Sequence, residues 1–140
     1  MNRIPKDSWA IIERVIRRYP ESKKEYESTY RNMLAASSES MSPVARIGVG
    51  LPNSPTERAV IRMLENPKMQ RLYREIQAVE EVYNQLPGEY QKVIRIRFWS
   101  DSERNVPYHQ LTCSVNYKEA QLRRISGSFV KSVGKRLGEM

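Results

Sequence analysis

Between Met69 and Leu86 the apolar residues Met69, Leu72, Ile76, Val79, Tyr83 and Leu86 recur at intervals of three and four. That spacing puts all six on one face of a helix. It is incompatible with a strand, whose faces alternate every second residue. In heptad terms it is an a/d seam. The seam lasts under three heptads, shorter than a sustained coiled coil. Two readings therefore stay open: a face buried inside one chain, or a seam that pairs two copies as a homodimer. No segment of the chain shows clear strand alternation, so the expected fold is all-α.

The flanking segments carry helix start and stop signals. Asp7 or Ser8 can cap a first helix whose face is Trp9, Ile12, Ile16 and Tyr19. Pro20 is expected to stop it. A second helix is expected from about Glu21 to Ala35, with Tyr26, Tyr30 and Met33 on a stripe. Residues 37–53 lose all period and read as a flexible linker. Ser54, Pro55 and Glu57 then form a strong start signal, followed by Val60, Met63 and Leu64 as the apolar face. Asn66-Pro67 repeats the same device. Pro87-Gly88 ends the seam, and Tyr90, Val93, Ile94, Arg97 and Phe98 face one way on a helix over 89–99. These signals divide the chain into an N-terminal helical segment (1–36), a flexible linker (37–53), a long heptad-like helical segment (54–86) and a C-terminal helix-turn-helix (87–140).

Charge is unevenly distributed along this layout. The chain carries a net charge of +8, and residues 89–140, with ten basic and five acidic residues, hold +5 of it. Clustered positive charge points to a polyanionic partner. The single cysteine, Cys113, excludes an intrachain disulfide and fits a reducing compartment. No stretch has the length or apolarity of a membrane span or a signal peptide. The expectation is a cytoplasmic protein with no membrane partner.

The C-terminal segment gives the charge a geometry. Tyr108, Leu111 and Val115 share a face, and Asn116 to Lys118 read as a turn, with Asn116 and Glu119 as a candidate capping box. The following helix has Leu122, Ile125, Phe129, Val133 and Leu137 on its apolar stripe. Opposite lie Ala120, Gln121, Arg124, Gly127, Ser128, Lys131 and Lys135, with no acid among them. Small residues allow close approach, while Gln and Arg can bond to base edges in the major groove. Ala120, Gln121, Arg124, Gly127 and Ser128 are thus the candidate base readers of double-stranded DNA. Lys118, Arg123, Lys131 and Lys135 are the candidate phosphate contacts.

The chain also resembles the RinA-like family of phage transcriptional regulators. The resemblance runs through Arg18-Tyr19-Pro20, Lys24, Tyr26, Leu51-Pro52, Pro55-Thr56, Ile76, Val82-Tyr83, Leu86-Pro87, the helix-turn-helix and Arg136-Leu137-Gly138. Leu86-Pro87 to Phe98 also resembles the first helix of region 4 of sigma factors. Four positions depart from the family: Tyr108-His109 replaces Trp-Glu, Lys118 stands where Ser commonly caps, and Ile125 stands where an aromatic is common. The resemblance implies an activator of phage late and packaging genes that works in the host cytoplasm and touches host RNA polymerase. A small terminase-like packaging protein and a helical protein-binding adaptor are the alternative readings.

Nothing in the pattern asks for a cofactor or an enzyme. His109 and Cys113 have metal-ligand spacing, but a zinc site needs three or four ligands and no acid cluster adjoins them. Glu80-Glu81 are neighbours whose side chains diverge, which suits a solvated face better than acid–base catalysis. Gly48-Val49-Gly50 lacks a phosphate-loop lysine.

Overall fold

The computed structural model describes residues 4–39, 54–100 and 105–138. These residues form six helices and no strand: α1 (Lys6–Glu39), α2 (Pro55–Glu65), α3 (Pro67–Asn84), α4 (Gly88–Trp99), α5 (Tyr108–Leu111) and α6 (Glu119–Leu137). The fold is all-α. Two compact units emerge, one made of residues 1–20 with 75–140, the other of residues 21–74. Residues 37–39 of the expected linker belong to α1; the rest of that segment lies outside the described residues.

Pro20 does not stop the first helix. α1 runs through it for 34 residues, so the two helices expected over 7–35 are one. A proline inside a helix has no N–H for the carbonyl four residues back, here that of Ile16. In the structure the Trp99 indole Nε1 donates to that Ile16 oxygen at 2.7 Å. The proline thus leaves an acceptor open, and a side chain from α4 fills it. The Trp99 ring packs on Tyr19 and Tyr83, with centroids 5.2 and 5.3 Å apart. Tyr19 Oη in turn donates to Glu80 Oε2 at 2.5 Å. Trp99 therefore links α1, α3 and α4.

The larger unit has two apolar clusters. The first joins Ile12 and Ile16 of α1, Ala78, Val79 and Val82 of α3, Ile94 and Phe98 of α4, and Phe129, Val130 and Val133 of α6. The second joins Val93 of α4, Leu111 of α5 and Leu122 of α6. Val93 and Ile94 are adjacent on α4 and face different clusters, and Ile125 packs against both. Truncating a fully buried Ile or Phe here to Ala should cost about 2–5 kcal/mol.

The buried stripe of α6 is rotated from the one expected. Leu122, Phe129 and Val133 are buried, but so are Ser126, Val130 and Gly134, while Ile125 and Leu137 are only half-buried. The cause is the close approach of α1. A Cβ at Gly134 would lie 2.5 Å from Ile12 Cδ1, so only glycine fits without a shift. Small residues, not apolar ones, mark this contact. α6 ends at Gly138, whose φ of 77° gives the left-handed turn that glycine allows.

In the smaller unit the local caps form as expected. Ser54 Oγ accepts from Glu57 N at 3.0 Å, with Pro55 in the first helical position. Asn66 Oδ1 accepts from Lys68 N at 3.0 Å and so starts α3. The buried face of α2 differs from expectation: Ala59 and Met63 are inside, whereas Val60 and Leu64 are exposed. Met63 and Ala59 lie four apart on one side, and the unit has no further element over the opposite side among the described residues. Tyr26 stacks on Tyr73 at 5.8 Å, and burial pushes the Tyr26 hydroxyl above its ordinary pKa.

Within the seam, Met69, Leu72, Ile76 and Val79 are buried within the chain, and Tyr83 and Leu86 pack against the first cluster. The seam is therefore an internal face of the chain. Replacing Trp99 by Phe should destabilise the protein by about 1–3 kcal/mol through loss of the Ile16 partner. In a Pro20→Ala background the new N–H can take the Ile16 oxygen, and the cost should fall by about 1 kcal/mol. Urea unfolding of the four proteins measures this coupling. Equal costs in both backgrounds would show that the indole bond does not compensate the proline.

Candidate nucleic-acid interface

α4, α5 and α6 pack on one another around Val93, Leu111 and Leu122, with Ile96, Val106, Tyr108, Val115 and Tyr117 at the margin. α5 is four residues long, shorter than expected, and the connection to α6 spans 112–118. The Thr112 hydroxyl donates to the His109 carbonyl at 2.7 Å, and Thr, Cys, Ser and Val at 112–115 are weak helix formers. Val115 leaves the helix but still faces the cluster. The layout is a short helix, a turn and a long helix.

The connection is held from α4. Tyr117 Oη donates to Glu89 Oε2 at 2.7 Å, and its ring meets Tyr90 edge-on at 6.0 Å. The Glu89 carboxylate accepting this bond pushes the Tyr117 pKa up to about 12. A shallow hollow of about 270 Å³ lies beside this contact, lined by Glu89, Lys92, Val115, Asn116 and Tyr117.

The cap of α6 also differs from expectation. The N-cap residue is Lys118, and Gln121 Oε1 accepts from the Lys118 backbone N–H at 3.0 Å. The pairing of Asn116 with Glu119 is replaced by this one, because helix 119–137 starts two residues later than an Asn116 cap requires. A lysine ammonium has no acceptor atom, so Gln121 supplies the side-chain half of the cap.

Six of the seven residues expected on the outer face of α6 are exposed: Ala120, Gln121, Arg124, Ser128, Lys131 and Lys135. At 100° per residue they fall within an arc of about 100°. Gly127 is the exception. It is half-buried at the edge of this arc, where a Cβ would lie 3.9 Å from the Trp9 ring. Lys118 is exposed at the head of the helix.

Arg123 points elsewhere. Its guanidinium bonds to Glu119 at 2.8 Å and sits over the Tyr108 ring, 4.9 Å from the centroid. The bond to Glu119 raises its pKa further. Arg97 approaches the same ring to 4.0 Å, and its Nη1 donates to the Val106 carbonyl. Tyr108 thus carries two guanidinium groups and joins α4, α5 and α6. The Glu119–Arg123 spacing of four was legible as an ion pair. The Arg97–Tyr108 contact had no sequence signal, since it depends on how α5 turns back on α4.

Among the described residues, Lys118, Arg124, Lys131 and Lys135 have no ion-pair partner, whereas Arg123 and Arg136 are paired with Glu119 and Glu81. His109 and Cys113 are both exposed, and no group of three metal-ligating side chains occurs among the described residues. No described helix is long and apolar enough to cross a membrane.

The fold and this face define a small all-α protein with a basic, acid-free outer helix face. Residues 12–135 match the family model described as "Protein of unknown function (DUF722)", and the chain belongs to that family. No curated protein and no solved structure matches the chain.

Tyr117 should titrate at about 12 in the folded protein, against 10.0 for an ordinary tyrosine. A raised pKa means that the contact stabilises the fold fully below pH about 10 and is lost as pH rises through about 12. Spectrophotometric titration of the wild type and Tyr117→Phe isolates the transition. Glu89→Gln should bring it back toward 10; an unchanged midpoint in that variant would assign the shift to another cause.

Proposed function

We propose that this chain is a sequence-specific, double-stranded-DNA-binding regulator of transcription. The observation that supports the reading most directly is the outer face of α6. Among the described residues its cations have no ion-pair partner, the face itself holds no acid, and the opposite side of the helix is fixed in two apolar clusters. Such a helix can enter the major groove with its first turns against base edges and its later turns leaving toward phosphates. Ala120, Gln121, Arg124 and Ser128 occupy the first part, with Gly127 at its margin. Lys131 and Lys135 occupy the second. Lys118 flanks the head of the helix, and Arg123 reaches a phosphate if it exchanges Glu119 for it.

The resemblance to RinA-like regulators supports a narrower proposal. The protein activates phage late and packaging genes in the host cytoplasm and uses a separate surface to meet host RNA polymerase. If it binds DNA as a homodimer, the interface lies outside the 69–86 seam.

A mobility-shift assay on random duplex DNA at low salt tests the core of this reading. Three or four neutralised phosphates give a slope of about −3 to −4 for log affinity against log salt. Absence of binding, or a slope near zero, would refute it. Arg124 and Lys131 then separate base from phosphate contacts. Arg124→Ala should cost about 1–3 kcal/mol on a selected site and relax one base position. Lys131→Ala should weaken all duplexes alike and reduce the slope by about one. Both variants should fold normally, since both side chains are exposed. Equal losses for Arg124→Ala on selected and scrambled sites would make it a phosphate contact.

A further inference from the structure

We propose that Gln121 reads a hydrogen-bond acceptor on a base edge, using its amide nitrogen as donor while its oxygen stays in the helix cap. The proposal rests on the DNA-reading role of α6 given above and specifies the chemistry of one position in that site.

The Lys118 N–H lies just ahead of α6 and has no helical acceptor of its own. Gln121 Oε1 accepts from it at 3.0 Å. Only an oxygen can accept from an N–H, so the bond fixes which end of the amide is which. The side chain is exposed, and its amide nitrogen has no partner among the described residues. The oxygen therefore faces the chain, and the NH₂ group is the end left for an external partner.

A freely turning glutamine pairs with adenine through both ends, accepting from N6 and donating to N7. That geometry needs the oxygen and the nitrogen to face the base together. Here the oxygen is turned onto the backbone. One lone pair of that oxygen is taken by the Lys118 N–H, and swinging the amide away to re-aim both of its ends would strand that N–H at the moment water leaves the interface. A donor suits guanine best, whose O6 and N7 are both acceptors, then thymine, which offers O4, and adenine through N7 alone. Cytosine offers an N4 amino donor in the major groove and opposes it.

The test is selection of bound duplexes from a random library by the full-length wild type, Gln121→Glu and Gln121→Ala. The Glu variant keeps an oxygen for Lys118 and replaces the outward donor by an acceptor, so its helicity by circular dichroism should match the wild type. The wild type should favour guanine or thymine over cytosine by roughly tenfold at one position. Gln121→Glu should move that position to cytosine and leave the others alone, and Gln121→Ala should erase its preference. Selection of cytosine by the wild type at the Gln121-dependent position overturns the proposal, as does a site unchanged in both variants. A wild type that binds no duplex at low salt overturns the DNA-binding reading and this proposal together. Specific binding that ignores residue 121 overturns this proposal alone.

Discussion

Pro20 removes the one N–H that the Ile16 carbonyl would have received within α1, and Trp99 supplies the replacement from α4. An unpartnered carbonyl in a part-buried helix is costly, and a proline there ordinarily bends or ends the helix. The indole bond makes the uninterrupted helix tolerable at this point. It also sets the end of α4 against α1, with Tyr19 and Tyr83 both packed against the same ring system. Since α4 carries both Ile94 and Val93, whatever fixes α4 fixes both apolar clusters. The outer helix face inherits its placement from this contact through a chain of packed side chains.

The second constraint is the closeness of α1 to α6. Gly134 meets Ile12 and Gly127 meets Trp9, so α1 covers the back and one edge of α6. That contact takes the middle and end of the helix. The first turns are held instead by Leu122 on Leu111 and Val93, and by the Gln121 cap. α6 is thus supported along its whole length from one side, which is what leaves the other side clear. Tyr108 adds a polar link, since Arg97 from α4 and Arg123 from α6 both lie over its ring.

Much of this was legible in the sequence where the cause is local. Ser54 and Asn66 cap their helices because capping involves residues two or three apart. The 69–86 period marked a buried face because periodicity encodes burial directly, and six of the seven outer residues of α6 followed from the same logic. What failed depends on distant residues. Pro20 was misread as a stop because its compensation is a bond between Trp99 and Ile16, which lie 83 positions apart. The α6 stripe was misplaced because Ser126 and Gly134 are buried by virtue of smallness, which a search for apolar residues passes over. Gly127 looked like an outer residue until Trp9 proved to sit beside it. The outward exposure of Val60 and Leu64 could not be told from burial, since their spacing fits either side of α2.

The arrangement of charge on α6 distinguishes its outer face from an ordinary solvated helix. An ordinary basic helix surface mixes signs, and i, i+4 pairs neutralise much of its field. Here pairing is confined to the flanks. Glu119 takes Arg123, and Glu81 of α3 takes Arg136. Among the described residues, Lys118, Arg124, Lys131 and Lys135 have no ion-pair partner on or beside the arc that is free of acid. Exposed pairs of this kind contribute little to stability, so neither their presence on the flanks nor their absence from the face is explained by folding. Leaving four like charges unpaired works slightly against the helix through their mutual repulsion. A bound polyanion would turn that repulsion into attraction, and the acids at 119 and 81 stand off the face where they would not oppose it.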